Sequence, residues 1–131
     1  LARSIDAEVL AISPEQSLLD ALGAEIEHVH LTTPDSLDQL ALDRWTAVAT
    51  FFHDHDWEPP LLAKALMSEA FFVGAMGSLE THKARIAELA ARRVDEAAIA
   101  RIASPLGLFG PARDPQALAV SALAQILAAR I

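Results

Sequence analysis

The segment Gly74-Ala75-Met76-Gly77-Ser78 places two glycines and a hydroxyl between an apolar run and a helical one. Glycine lets a backbone turn sharply and lets a ligand approach it closely. A helix beginning at Ser78 would turn its first, unbonded N–H groups toward a phosphate or carboxylate. The spacing is neither the dinucleotide fingerprint G-x-G-x-x-G nor a Walker A loop. A plain strand-to-helix turn with a serine cap accounts for the same residues, so anion site and simple turn both stand.

His53-Asp54-His55-Asp56 is the second chemical cluster. Alternating imidazoles and carboxylates suit divalent-metal ligation or acid–base work. On an extended segment alternate side chains point to opposite sides, so one segment offers only two of the four to a common site. A solvated loop in which Asp56 caps the helix opened by Pro59-Pro60 is the competing reading, and no metal is assigned. His82, four residues after Ser78, lies near the start of the same helix and either faces the strand-end cleft or is simply exposed. The loop Pro105-Leu106-Gly107-Leu108-Phe109-Gly110 is apolar and contains two glycines. It lines a pocket or a partner surface, or else is a buried connection. His28 and His30 read as exposed on an edge strand, and Trp45 and Trp57 as packing residues. No nucleophile–base–orienter triad is legible.

The elements that must hold these residues alternate. Strands are expected at residues 8–12, 26–31, 46–52 and 70–74. Helices are expected from Ser13 as N-cap to Gly23, over 36–42, from Pro59 to about Ser68, from Ser78 to about Arg92, from Asp95 to about Ile102, and from Asp114-Pro115 to about Arg130. Residues 46–52 are β-branched, aromatic or alanine and apolar on both faces, as in a parallel sheet covered by helices. Alternating strands and helices argue for an α/β fold with a mainly parallel sheet and helices on both faces. In such sheets ligands bind beyond the carboxyl ends of the strands. The loops at Ser13, 53–57, 74–78 and 105–110 all fall there.

Composition narrows the function classes. With 131 residues and 53% hydrophobic content the chain is expected to form a single domain with a real core. A net charge of −8 leaves no positive face for nucleic acid. No apolar run reaches the length of a membrane span, and no signal peptide is legible at the start. The absence of cysteine excludes disulfides, thiolate metal sites and cysteine nucleophiles and fits the cytoplasm. A start at Leu1 rather than methionine reads as a fragment or a trimmed chain.

Four segments in order resemble one family. Residues 46–54, ending in Phe52-His53-Asp54, resemble a strand followed by T-H-D. Phe72-Val73-Gly74-Ala75-Met76-Gly77-Ser78 with Thr81-His82 resembles Y-V-G-A-L-G-S…T-H. Arg101-Ile102-Ala103-Ser104-Pro105-Leu106-Gly107-Leu108 resembles R-I-x-x-P-x-G-L. Asp114-Pro115-Gln116-Ala117-Leu118-Ala119-Val120-Ser121 resembles x-P-x-E-I-A-V-S. These are motifs of the XdhC/CoxI family, the accessory factors of xanthine and carbon monoxide dehydrogenases. The match is strong from residue 45 onward and rests on pattern alone before it.

The resemblance implies a Rossmann-like three-layer domain, here lacking the family's first strand and glycine-rich loop. It implies binding of molybdenum cofactor (molybdopterin) and its delivery to a molybdenum hydroxylase, which is chaperone work rather than enzyme turnover. It places the ligand against His53, Asp54, Gly74, Gly77, Ser78, His82, Pro105 and Gly107. The chain departs from the family at Ser13-Pro14-Glu15, where an Asp and an Arg are usual, at Phe52, where the T-H-D threonine stands, and at Leu79-Glu80, where two arginines are frequent. Two other classes remain: a domain like that of NAD(P)- or nucleotide-binding oxidoreductases, and a ligand-free interaction domain. The missing strand exposes a sheet position, so a homodimer is expected.

Overall fold

The computed structural model describes residues 1–51, 54, 56–108 and 114–130. The chain forms two compact units, Leu1–Ala41 and Leu42–Ile131. Among the described residues all strand pairing is parallel, and helices connect most successive strands, so the α/β, Rossmann-like expectation holds, with less than a full sheet in either unit.

In the first unit a 3-10 turn, Ala2–Ile5, precedes strand β1 (Leu10–Ser13). Helix α1 (Gln16–Ala21) crosses over to β2 (Glu27–His30), which pairs with β1 from Leu10↔Glu27 to Ser13↔His30. Ser13 does not cap α1. Pairing with His30 holds Ser13 extended, its Oγ accepts the Glu15 N–H at 3.0 Å, and Glu15 becomes the residue before the helix. Gly23 follows the end of α1 with φ +83°, the left-handed conformation that stops a helix. The helix expected over 36–42 is a 3-10 turn at Pro34–Gln39. It begins earlier because Ser36 Oγ accepts the N–H groups of Thr32 and Thr33. His30 Nε2 lies 2.9 Å from the Pro14 carbonyl and ties β2 to the loop after β1.

The second unit carries strands β3 (Ala47–Thr50), β4 (Phe72–Ala75) and β5 (Ile102–Ala103) in spatial order β3-β4-β5. Helix α2 (Glu58–Leu66) joins β3 to β4. Helices α3 (Leu79–Ala91) and α4 (Glu96–Ile99) join β4 to β5, and α5 (Pro115–Arg130) follows. The expected extension of the Asp95 helix to Ile102 is replaced by β5, because Ile102 and Ala103 pair with Val73 and Gly74.

Side-chain alternation divides the core between the two faces of this sheet. Val48, Val73, Ala75 and Ile102 pack with Leu62, Leu66, Leu89 and Ile99 of α2, α3 and α4. Phe72, Ala47, Ala49 and Ala103 pack with Leu106 and with Ala122 and Ile126 of α5. Successive strand residues point to opposite faces, so β4, buried at all four positions, has helices on both sides. The carboxyl ends of β3, β4 and β5 therefore come together on one edge of the layer, and the candidate residues of this unit lie along it.

A candidate ligand site at the carboxyl ends of the strands

The turn after β4 is shorter than the sequence suggests. Gly74 and Ala75 belong to the strand, and only Met76, Gly77 and Ser78 separate it from α3. Gly74 sits inside the core: a Cβ built on it would come within 2.6 Å of Leu106 Cδ1 and 2.7 Å of Phe72 Cε1. Packing alone accounts for a glycine there. Gly77 is different. Its φ of +142° lies in a region that side-chain-bearing residues rarely adopt, so the turn into α3 requires it. Ser78 is the N-cap of α3. Its Oγ accepts the Thr81 N–H at 3.2 Å and lies 3.1 Å from Thr81 Oγ1. The helix N-terminus expected from the sequence is thus in place, with the N–H groups of Leu79 and Glu80 ahead of the first bonded turn.

His53 and His55, with Phe52, lie outside the described residues. Asp54 Oδ1 accepts the N–H groups of Asp56 at 2.8 Å and Trp57 at 3.2 Å, and its carbonyl accepts that of Glu58 at 2.9 Å. Asp54, not Asp56, therefore organises the start of α2. Pro105 is exposed and follows a cis peptide bond from Ser104. Gly107 has φ +127°, and its N–H donates to Gln125 Oε1 of α5 at 2.7 Å. Leu106 N–H continues the ladder to the Ala75 carbonyl at 3.2 Å. The loop after β5 is thus anchored both to β4 and to α5.

The most concentrated chemistry of the site lies in residues the sequence reading did not single out. Arg85 of α3 is 4% exposed and Glu58 of α2 is 7% exposed, and Arg85 Nε donates to Glu58 Oε1 in a buried ion pair. Arg85 Nη2 donates to the Met76 carbonyl at 2.8 Å. Its Nη1 donates to Ser104 Oγ and to His82 Nδ1, both at 3.3 Å. One guanidinium thereby joins α2, the β4–α3 turn, α3 and the loop after β5. Burying charge is costly unless it is paired and hydrogen-bonded, and Arg85 meets both conditions. Glu58 Oε2 and Thr50 Oγ1, at the end of β3, are buried with no partner among the described residues.

His82 is half-buried, and its pKa is lowered from the ordinary 6.5, first by burial and second by the Arg85 charge. Arg85 was detectable from its spacing: it precedes buried Leu89 by one helical turn and so shares the inward face of α3. Its partner was not, since Glu58 lies 27 residues away. Among the described residues no group of three or more His, Asp or Glu side chains could hold a metal ion, and no helix is long and apolar enough to cross a membrane.

Residues 1–126 match the XdhC Rossmann domain. The chain belongs to the XdhC family. It is also 33% identical over 129 residues to the molybdenum cofactor insertion chaperone PaoD of Escherichia coli (strain K12). That alignment covers 98% of the chain and 38% of PaoD, so the chain spans well under half the length of this relative. The family assignment read from the motifs beyond residue 45 thus holds, and the match extends to residue 1.

Proposed function

We propose that this chain is a Rossmann-like domain of a molybdenum cofactor maturation and insertion factor serving a molybdenum hydroxylase. The cofactor is cargo in this reading, and the domain is an accessory protein rather than an enzyme. Family membership and the likeness to a cofactor insertion chaperone support the role. The observation that carries the site is the β4–α3 turn. There Gly77 takes a conformation that strips the turn of side chain, Ser78 opens α3, and the half-buried imidazole of His82 stands one turn further on.

In this reading the N–H groups at the start of α3 hold a phosphate oxygen of the cargo. His82 donates to a second oxygen, and His53, in the β3–α2 connection, is given a further hydrogen bond on the family motif alone. Asp54 shapes that connection through its backbone bonds. Gly107 and Pro105 contribute from the loop after β5, and Gly74 acts indirectly by admitting Leu106. Leu79 and Glu80 bring no positive charge to the turn, so affinity for an anion rests on backbone dipoles and neutral donors. The same reading places the protein in the cytoplasm as a homodimer. The absence of cysteine supports the first. The family's first strand, which this sequence lacks, supports the second, since its place in a sheet invites pairing with another copy.

An anaerobic titration with molybdenum cofactor, read by tryptophan fluorescence with NAD and AMP as controls, tests the proposal. Saturable binding of the cofactor alone is expected. Binding of NAD in its place would move the chain to the nucleotide-binding oxidoreductases, and no binding of any of the three would leave a partner-docking domain.

A further inference from the structure

Arg85 is committed on every side the structure describes. Its Nε meets Glu58, its Nη2 the Met76 carbonyl, and its Nη1 both Ser104 and His82. It is therefore not available to neutralise an incoming anion, although it is the one buried cation among the described residues. Its effect on a ligand must pass through a neighbour. Arginine is a donor only and stays protonated, so an imidazole nitrogen facing it must present a lone pair. Nδ1 of His82 is that nitrogen, and the ring hydrogen of the neutral imidazole then resides on Nε2.

We propose that Arg85 is a positioning residue: it holds His82 in the single tautomer protonated at Nε2, so that the site offers a fixed N–H donor to an acceptor oxygen of an anionic cargo. Glu58 serves the same end by balancing the Arg85 charge and fixing the plane of the guanidinium. The inference rests on the proposed site for its ligand, but the tautomer is a property of the free protein.

The surroundings of His82 agree with it. On α3 the charged neighbours are Glu80 and Lys83, both exposed, and Arg85, in contact. From α2, Glu58 bonds Arg85 Nε. From the loop after β5 comes only the neutral Ser104 hydroxyl. Helix α4, which packs against α3, brings the exposed Glu96. Among the described residues no carboxylate bonds the imidazole, and nothing bonds Nε2. Burial and the Arg85 charge both disfavour a second proton.

The test is nitrogen-15 NMR of the imidazole of His82 in the free wild-type protein at neutral pH. A pyridine-type Nδ1 and a protonated Nε2 are expected, with a midpoint below 6.5. A ring protonated at Nδ1, or one averaging both tautomers, overturns the proposal. The paired variant Glu58→Gln/Arg85→Met removes both charges together and so leaves neither one buried alone. It should let the tautomers average, raise the His82 midpoint, and weaken cofactor binding by about twofold, the reduction in the share of the ring that holds its proton on Nε2. His82→Ala removes the donor itself and should weaken binding by about tenfold, the size of one lost hydrogen bond to a charged group, with no further loss when the changes are combined. An unchanged tautomer in a folded paired variant, or additive losses, overturns the positioning role. If the wild type binds no cofactor the functional reading falls, while the NMR result still decides the tautomer.

Discussion

Leu106 Cδ1 occupies the space that a side chain on Gly74 would need, 2.6 Å from where its Cβ would stand. The contact ties the loop after β5 to the middle of β4 and turns a glycine of the family motif into a packing requirement. Leu106 and Phe72 are both buried, so neither can move aside freely. Gly74→Ala should destabilise the domain by about 1–3 kcal/mol in urea denaturation, the usual cost of an added methyl in a filled core. Adding Leu106→Ala should recover part of that loss. If the single variant is as stable as the wild type, the space is not as filled as described.

The ion pair between Glu58 and Arg85 should behave as a buried pair does. Glu58→Ala leaves a buried guanidinium uncompensated and should cost about 3–5 kcal/mol, while replacing both partners by apolar residues of similar volume should cost much less. A double-mutant cycle measures the difference. Independent, small effects of the two changes would mean that the pair is solvated in solution.

Ser78 separates capping from binding. Ser78→Ala removes the bond to Thr81 N–H and should cost about 1 kcal/mol. Ser78→Asp retains a good cap and should hold stability near that of the wild type, yet it places a negative charge where an anionic cargo is proposed to sit. Thermal melts and cofactor titration of the two variants should therefore rank them in opposite orders.

The lowered pKa of His82 has a direction in stability. The folded protein binds the second imidazole proton less readily than the unfolded chain, whose histidine titrates near 6.5. The stabilisation is thus complete above that pH and is lost as pH falls from 6.5 through the folded-state midpoint. Denaturation midpoints should decline over that window in the wild type and decline less in His82→Gln. An equal decline in both would assign the acid sensitivity to other groups.

The sequence announced elements wherever local chemistry settled them. The apolar run at 46–52 and the Ser78 cap gave β3 and α3, because β-branched residues and a serine before a helical stretch leave few alternatives. Gly74 misled, since a glycine reads as a turn when the side chain that replaces its own comes from a distant loop. β5 went unseen because two residues, Ile102 and Ala103, carry no periodicity and are a strand only by pairing with β4. The turn positions of Gly77 and Ser78 and the place of His82 near the start of α3 were legible. The guanidinium that joins His82 and the Met76 carbonyl to α2 and to the loop after β5 was not, because its contacts span 27 and 19 residues.

The position of β4 between β3 and β5, with helices on both faces, also sets a timescale. Its amides open to solvent only if neighbours on both edges and both faces give way together, whereas the four-residue pair β1–β2 in the other unit has no fully buried side chain. Deuterium should therefore enter the backbone of β1 and β2 through local fluctuations and that of Val73 and Gly74 only through unfolding of the whole second unit. Exchange at those two amides then reports the free energy of that entire unit.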